Sequence, residues 1–314
     1  MTKKLYASID IGTNTIRLLI LKNPLKKDEK IIVNLVRTAR LGKNIQSTGK
    51  IPQESIETAK KIFLEYKEII DVNKVKNLYS AATEGVRKAK NKEEILSIFE
   101  DIFLIKPEVI TGEREADLLK TANFEFIKIY GQFLLFDVGG GSTEFILEST
   151  KQSRFVSIPV GILRIFEKYF KSQLSLDENE YRTISDKLIE ELKFIIDEFT
   201  FEEIPLIGTG GTATTLSCIY KGLKKYNHYK VHHSHIPLEE IEIIFDTVNA
   251  LDLESRKRLI GMDPDRADIL LPGILIIKAI METLNENKLI ISDKGILFGL
   301  IYDKIQDLKK KKEH

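Results

Sequence analysis

Leu134-Leu-Phe-Asp-Val-Gly-Gly-Gly-Ser-Thr-Glu-Phe-Ile-Leu147 reads as strand, acid, glycine turn, strand. An apolar run ends on Asp137, and a second one leaves at Phe145. Glycine loses more conformational freedom on folding than any other residue. Three in a row, Gly139, Gly140 and Gly141, therefore imply that something lies against the backbone there. Ser142 and Thr143 add hydroxyl donors, and Glu144 adds a second carboxylate. Backbone N–H groups gathered in such a turn form a concavity for an anion.

Upstream, Tyr6-Ala-Ser-Ile-Asp-Ile-Gly-Thr-Asn-Thr-Ile-Arg-Leu-Leu-Ile20 repeats the plan. Asp10 ends an apolar run, and Gly12, Thr13, Asn14 and Thr15 make the turn. Alone, this segment reads equally as a plain hairpin. As a pair, the two acidic hairpins imply two similar lobes, each aiming a phosphate loop and a carboxylate at one shared cleft. Asp10 and Asp137 are the candidate ligands for Mg²⁺ or another divalent cation, because a hard cation takes carboxylate oxygen.

The bulk numbers set the frame. A chain of 314 residues suits about two domains. Lys and Arg number 48 against 47 Asp and Glu, so net charge gives no reason to expect nucleic acid or a membrane surface as partner. A single cysteine, Cys218, forms no intrachain disulfide and fits a reducing compartment. The start of the chain has no apolar signal-type segment, and no run approaches the ~18 apolar residues of a membrane span. A cytoplasmic location is expected.

Strands are expected at about 4–11, 15–22, 30–40, 76–82 and 107–111, with helices at 52–71, 91–103 and 112–127. A second three-strand unit follows at 132–138, 142–148 and 152–158. Then come helices at 161–171 and 177–198, a strand at 204–208 and a helix at 211–220. Helices at 238–250, 253–260 and 267–286, a strand at 289–292 and a helix at 296–309 complete the pattern. The recurrence of three strands at a period of about 125 residues is too long for a solenoid and marks an internal duplication. The expected division is 1–128 as one lobe, with the C-terminal helix of 296–314 packing back on it, and 129–295 as the other.

A third small-residue loop, Gly208-Thr-Gly-Gly-Thr212, follows an apolar strand and opens a helix. Helix N-termini attract anions through free N–H groups and the dipole. Close packing of helix on strand is the other reading of Gly208, Gly210, Gly211 and Thr212. The spacing is neither that of a P-loop nor that of a dinucleotide fingerprint.

In this order the three loops resemble those of the actin/Hsp70/sugar-kinase superfamily. In detail the chain resembles the exopolyphosphatase/guanosine pentaphosphate phosphohydrolase (Ppx/GppA) branch over nearly its whole length. Ser8–Arg17 is close to that family's opening motif, with Thr13 and Thr15 where serine is usual. Arg40-Leu-Gly42, Ala82–Asn91, Val109–Ala116, Ser157–Gly161, Arg266-Ala-Asp268 and Ser292-Asp293 follow its later landmarks.

The resemblance implies an α/β fold of two actin-like (ribonuclease H-like) lobes of duplicated origin with a cleft between them. It implies Glu115 as the catalytic glutamate and Glu144 as a second one positioning the water or the metal. From the residues alone, Glu115 reads as a helix N-terminal carboxylate favoured by the dipole. The resemblance also implies a phosphate contact for Arg87 and a substrate that is polyphosphate or guanosine pentaphosphate. A homodimer is compatible with it. A kinase or ATPase of the same superfold, or a non-catalytic (p)ppGpp sensor, would use similar loops.

Other residues read less sharply. Arg17 follows the first loop, and Lys88 and Lys90 suit a solvated helix face. Arg266 reads equally as an ion-pair partner and as a substrate contact. His232-His-Ser-His235 has no cysteine beside it and reads as a polar loop rather than a zinc site. Cys218 reads as a buried small hydrophobe. Gly295-Ile-Leu-Phe-Gly299 departs from the family's Gly-Leu-Arg-Glu-Gly. The likeness does not reach the extra C-terminal helical domains of longer relatives, so it does not carry processivity.

Overall fold

The computed structural model describes residues 4–170, 174–193 and 204–313. The chain divides into two compact units, Met1–Asn123 with Lys294–His314, and Phe124–Asp293.

The first unit is built on five strands: β1 Leu5–Ile11, β2 Thr15–Lys22, β3 Lys30–Thr38, β4 Asn77–Ala82 and β5 Glu108–Val109. They lie in the order β3-β2-β1-β4-β5. β1, β2 and β3 are antiparallel neighbours, whereas β4 and β5 run parallel to β1. Cover on both faces explains why β2 is apolar without a break from Leu18 to Leu21. Ile16, Leu18 and Ile20 face the core under the helices Gln53–Val72 and Lys92–Phe103, with Phe63, Tyr66 and Phe99. Leu19 and Leu21 face the other way, onto Leu297, Phe298, Ile301 and Tyr302 of the C-terminal helix Ile296–Glu313. A strand covered on both faces loses the usual polar alternation.

The C-terminal helix is pinned by specific bonds. Buried Ser8 donates its hydroxyl to the Leu297 carbonyl at 2.8 Å, and Tyr302 donates to Glu29 at 2.7 Å. Asp303 pairs with Arg114 of the helix Gly112–Ala122. Where these two helices cross, a Cβ on Gly299 would sit 2.2 Å from the Leu118 carbonyl oxygen. The neighbour is backbone and cannot swing aside. Gly299→Ala is therefore expected to cost about 1–3 kcal/mol, the overpacking range; urea denaturation would measure it, and unchanged stability would contradict the tight crossing.

The second unit repeats the topology. β6 Gln132–Val138, β7 Thr143–Ser149 and β8 Ser153–Ile158 are antiparallel, and β9 Leu206–Thr209 runs parallel to β6 on its other side. β11 Lys288–Ile291 is parallel to β9, and β10 His235–Pro237 closes the edge. The order is β10-β11-β9-β6-β7-β8. The helix Leu270–Thr283 is buried from Leu270 to Met281. Its one charge there, Lys278, reaches Glu242 at 3.2 Å and lies over the Tyr181 and Phe245 rings. Among the described residues no helix is long and apolar enough to cross a membrane.

Several boundaries differ from the sequence-based expectation. The helix expected at 112–127 is two, Gly112–Ala122 and Phe124–Tyr130. Buried Asn123 breaks it: its side-chain amide donates to the carbonyls of Leu119 and Lys294. The helix expected at 253–260 ends at Lys257, and that at 267–286 spans Leu270–Thr283. The short helices Ile45–Thr48, Glu84–Arg87 and His228–Val231, and strand β10, were not foreseen. Residue 171 and residues 194–198 of the expected helices lie outside the described residues.

Candidate active site

Hairpin geometry places the acids. In β1–β2, Asp10 stands opposite Arg17, and the Gly12 amide donates to the Thr15 carbonyl at 3.0 Å. In β6–β7, Asp137 stands opposite Glu144, and the Gly139 amide donates to the Ser142 carbonyl at 2.9 Å. The two turns match residue for residue: Asp10 with Asp137, Gly12 with Gly139, Thr15 with Ser142, and Arg17 with Glu144. Directly opposite residues of an antiparallel pair share a face. Asp137 and Glu144 thus point to the same side of the second sheet.

In the first unit the loop is braced from two sides. The Ala39 and Arg40 amides donate to the Asn14 carbonyl at 3.0 and 2.8 Å, and the Gly42 amide to the Thr13 carbonyl at 2.8 Å. The Gly85 amide donates to the Thr13 hydroxyl at 3.1 Å. A Cβ on Gly42 would lie 2.2 Å from Thr13 Cγ2, and one on Gly85 would lie 2.9 Å from Thr13 Cα. Thr13 is thus gripped between two backbones, which explains why Arg40-Leu-Gly42 and the Ala82–Asn91 stretch belong with this loop. Asp10 is buried beneath Gly12.

Glu115 occupies the first turn of Gly112–Ala122, whose N-cap Thr111 accepts from the Arg114 amide at 3.2 Å. Its side chain is buried. Arg87 donates to the carbonyl of Ile110, immediately before that cap. The structure thus places the Arg87 guanidinium on the entry to the Glu115 helix. Lys88 pairs with Glu84, and the Lys90 stem covers Gly49.

In the second unit Glu144 is nearly fully buried, and its Oε1 accepts from Ser142 Oγ at 2.6 Å and Ser157 Oγ at 3.0 Å. Two donors on one oxygen fix its orientation. Thr143 donates to the Val160 carbonyl at 2.6 Å. The glycine run is capped by the start of the helix Ile162–Tyr169: the Ile162 and Leu163 amides donate to the Gly139 and Gly140 carbonyls at 3.0 and 2.8 Å. A Cβ on Gly161 would fall 2.4 Å from the Gly141 carbonyl carbon and 2.6 Å from the Ser142 nitrogen.

The third loop divides. Gly208 lies inside β9, where a Cβ would meet the Phe136 ring at 2.9 Å; this is a packing position. Buried Thr212 lies against Gly273 of the Leu270–Thr283 helix. Gly210 and Gly211 begin the helix Gly210–Tyr220. Gly210 has φ of 90°, and a Cβ there would come 2.3 Å from Asp137 Oδ1. Only glycine lets this backbone approach the carboxylate. The Arg266 guanidinium lies on Gly211, its Nη1 2.0 Å from where a Cβ would be, while its Nε is 3.4 Å from Asp263. The structure brings Arg266 to this loop while keeping it in an ion pair.

Gly161 and Ser157 were legible only as part of a motif, because their role is contact with a loop distant in sequence. Two other features resolve simply. Cys218 is buried, and burial pushes its thiol up to about 11, so almost none is thiolate near neutral pH. In the histidine segment the Asp293 amide donates to His232 Nδ1 at 3.3 Å. The ring proton therefore sits on Nε2, which lies 2.8 Å from Glu125 Oε1. With His233 Nε2 3.9 Å from the same oxygen, the three side chains cluster closely. That tautomer presents N–H, not a lone pair, and suits a hydrogen bond rather than a metal bond.

Comparison with known proteins follows the same lines. Residues 24–308 match the model of the Ppx/GppA phosphatase family. The chain is 31% identical to a bifunctional 3-dehydroquinate synthase/phosphatase of Fusobacterium nucleatum, over 96% of this chain and 47% of that protein. It is 27% identical to exopolyphosphatase 2 of Mycobacterium tuberculosis, over 94% of this chain and 96% of that one. With a guanosine-5'-triphosphate,3'-diphosphate pyrophosphatase of Vibrio parahaemolyticus it shares 23% identity, over 97% of this chain and 60% of the relative. The chain thus spans about half the length of the first of these relatives and nearly all of the second. A crystal structure of the Aquifex aeolicus Ppx/GppA family member superposes with a TM-score of 0.80 at 32% identity, covering 97% of this chain and 98% of that one. The fold is accordingly the actin-like one, and the chain belongs to the Ppx/GppA phosphatase family.

Proposed function

We propose that this chain is a phosphohydrolase that releases terminal orthophosphate from inorganic polyphosphate, or converts guanosine pentaphosphate to the tetraphosphate, by attack of water. One observation carries the reading: the same acid-and-glycine turn, with the same amide-to-carbonyl bond, occurs in both units. Relatives named as an exopolyphosphatase and as a guanosine pentaphosphate pyrophosphatase support the substrate class.

The roles follow from the chemistry of phosphoryl transfer, in which positioning and electrostatics supply most of the rate. The turns Gly12–Thr15 and Gly139–Thr143 offer N–H groups and hydroxyls to phosphate oxygens. Glu115 takes the proton of the attacking water. The new bond joins that water's oxygen to the terminal phosphorus, and the bond to the bridging oxygen of the shortened chain breaks. Glu144, held by Ser142 and Ser157, orients the water. Arg87 acts by positioning the Glu115 helix.

The residues fit a divalent cation. Asp10 is a buried carboxylate under a glycine turn, and Gly210 adds no side chain of its own against Asp137 Oδ1. Hard oxygen donors suit Mg²⁺ or a similar ion. Asp10 and Asp137 would hold it, and it would neutralise charge on the transferring phosphoryl group. Chelation is expected to lower turnover at least ~100-fold, on the scale of several kcal/mol, with recovery on adding Mg²⁺. Full activity in chelator would contradict the role given to the two aspartates.

The reading itself is tested by orthophosphate release from polyphosphate, guanosine pentaphosphate and ATP under identical conditions. Turnover of either of the first two in preference to ATP is expected. Turnover of ATP alone would overturn it.

A further inference from the structure

Tyr220 to His235 is a sixteen-residue segment without one acidic side chain, in a chain that is otherwise balanced in charge. It carries Lys221, Lys224, Lys225 and Lys230, all exposed. Among the described residues none of these four makes an ion pair, whereas Lys43, Lys67, Lys88, Lys257 and Lys278 each take a carboxylate. Lys288 adds a fifth cation on the neighbouring strand, at the register position of Pro237. His235 is held below the usual histidine range by desolvation and by the charges of Lys288 and Lys221, which reports a positive local field.

The segment is also built rather than loose. Asn227 caps the short helix His228–Val231, and Val231 is fully buried. The His233 amide donates to the Ile291 carbonyl and the Ile291 amide to the Ser234 carbonyl, each at 2.8 Å. Ser217 and Ser234 share a hydrogen bond of 2.7 Å. The acid lying beneath, Asp293, is engaged from the segment itself by Tyr226 and by His228 Nδ1 at 2.6 Å. Its charge is thus met from inside, and the lysines outside keep theirs.

This cationic strip begins where the helix Gly210–Tyr220 ends, the helix whose first residues approach Asp137. Ten steps of 1.5 Å from Gly210 to Tyr220 set the two ends about 15 Å apart. We propose that the strip Lys221–Lys230 is a binding surface for the body of an inorganic polyphosphate chain, beyond the phosphate being removed. Four ammonium groups that shed counterions on meeting successive phosphates favour a linear polyanion, with a strong dependence on salt. Single-stranded nucleic acid is less well matched. It uses several aromatic platforms in series, and here only Tyr229 is mostly exposed among the described residues, Tyr226 being tied to Asp293 and Tyr220 lying 39% exposed at the helix end. The proposal rests on the phosphohydrolase reading for its choice of ligand, and not for the existence of the surface.

The test uses the full chain with Lys221→Gln, Lys224→Gln, Lys225→Gln and Lys230→Gln combined. A control carries Lys26→Gln, Lys27→Gln, Lys60→Gln and Lys61→Gln, which removes equal charge from exposed sites elsewhere. Binding of long polyphosphate is measured by filter retention between low and moderate salt, and hydrolysis of long polyphosphate and of tripolyphosphate in parallel. The expected result is at least ~10-fold weaker binding of long chains and a salt slope reduced by several counterions. KM for long chains should rise to the same extent, with kcat and tripolyphosphate turnover unchanged and the control like wild type. Unchanged long-chain binding, an equal loss in the control, or tighter binding of single-stranded RNA than of polyphosphate would overturn it. If wild type bound long chains through the strip and hydrolysed none, the surface would stand and the phosphohydrolase reading would fail.

Discussion

Glu115→Gln is expected to lower kcat for terminal phosphate release by about 100-fold or more, the usual scale for a lost general base, while KM changes little. Glutamine keeps the volume and a hydrogen-bonding oxygen but takes no proton. The side chain is buried in the first turn of a helix fixed at its start by Thr111 and Arg87. The helix is held along its length by the Gly299 crossing and the Arg114–Asp303 pair. The substitution therefore leaves its surroundings in place, and lost rate reports chemistry rather than unfolding. Stopped-time orthophosphate assays across substrate concentration separate kcat from KM. A variant within a few-fold of wild type would remove Glu115 from the reaction.

Gly161→Ala is expected to be nearly as damaging, by a different route. The added methyl would fall within 2.7 Å of Gly140, Gly141 and Ser142 backbone atoms. None of these can rotate away, so either the glycine turn or the helix Ile162–Tyr169 must move. Displacement by about 1 Å is enough to cost on the order of 100-fold in a positioned reaction, and the overpacking itself costs about 1–3 kcal/mol. Because Glu144 takes its hydrogen bonds from Ser142 and Ser157, the same shift disturbs the carboxylate proposed to orient the water. Both KM and kcat should suffer, in contrast to Glu115→Gln. Wild-type kinetics with wild-type stability would show that the turn tolerates what its geometry forbids.

The sequence exposed those features whose cause is local. A triple glycine between two apolar runs has a conformational cost that only a close neighbour explains, so the Asp137 turn and its counterpart at Asp10 were readable as tight turns between paired strands. The repeated three-strand unit was equally plain, since each strand carries its own apolar run. Residues that act across the fold were not readable in that way. Gly42 and Gly85 matter because they close on Thr13, and Gly210 because it approaches Asp137; nothing in their own neighbours says so. Arg87 shows the same limit. The resemblance implies a phosphate contact for it; its bond to the Ile110 carbonyl, at the entry to the Glu115 helix, is a further contact that only the fold shows. Strand β10 has three residues, His235-Ile-Pro237, too few for a period to register. Asn123 splits a helix through bonds to Leu119 and to Lys294, far along the chain.

The segment with four lysines was visible as polar and rich in histidine, but its meaning depended on what lies beneath it. Only the fold reveals that Asp293 is met from within the segment and that, among the described residues, the four lysines make no ion pair.

In the proposed reaction water attacks the terminal phosphorus. Hydrolysis of polyphosphate or guanosine pentaphosphate in water enriched in oxygen-18, followed by mass analysis of the products, tests it most directly. One heavy oxygen is expected in each orthophosphate released, and none in the shortened chain. Label retained in the shortened chain, or release of pyrophosphate in place of orthophosphate, would contradict it.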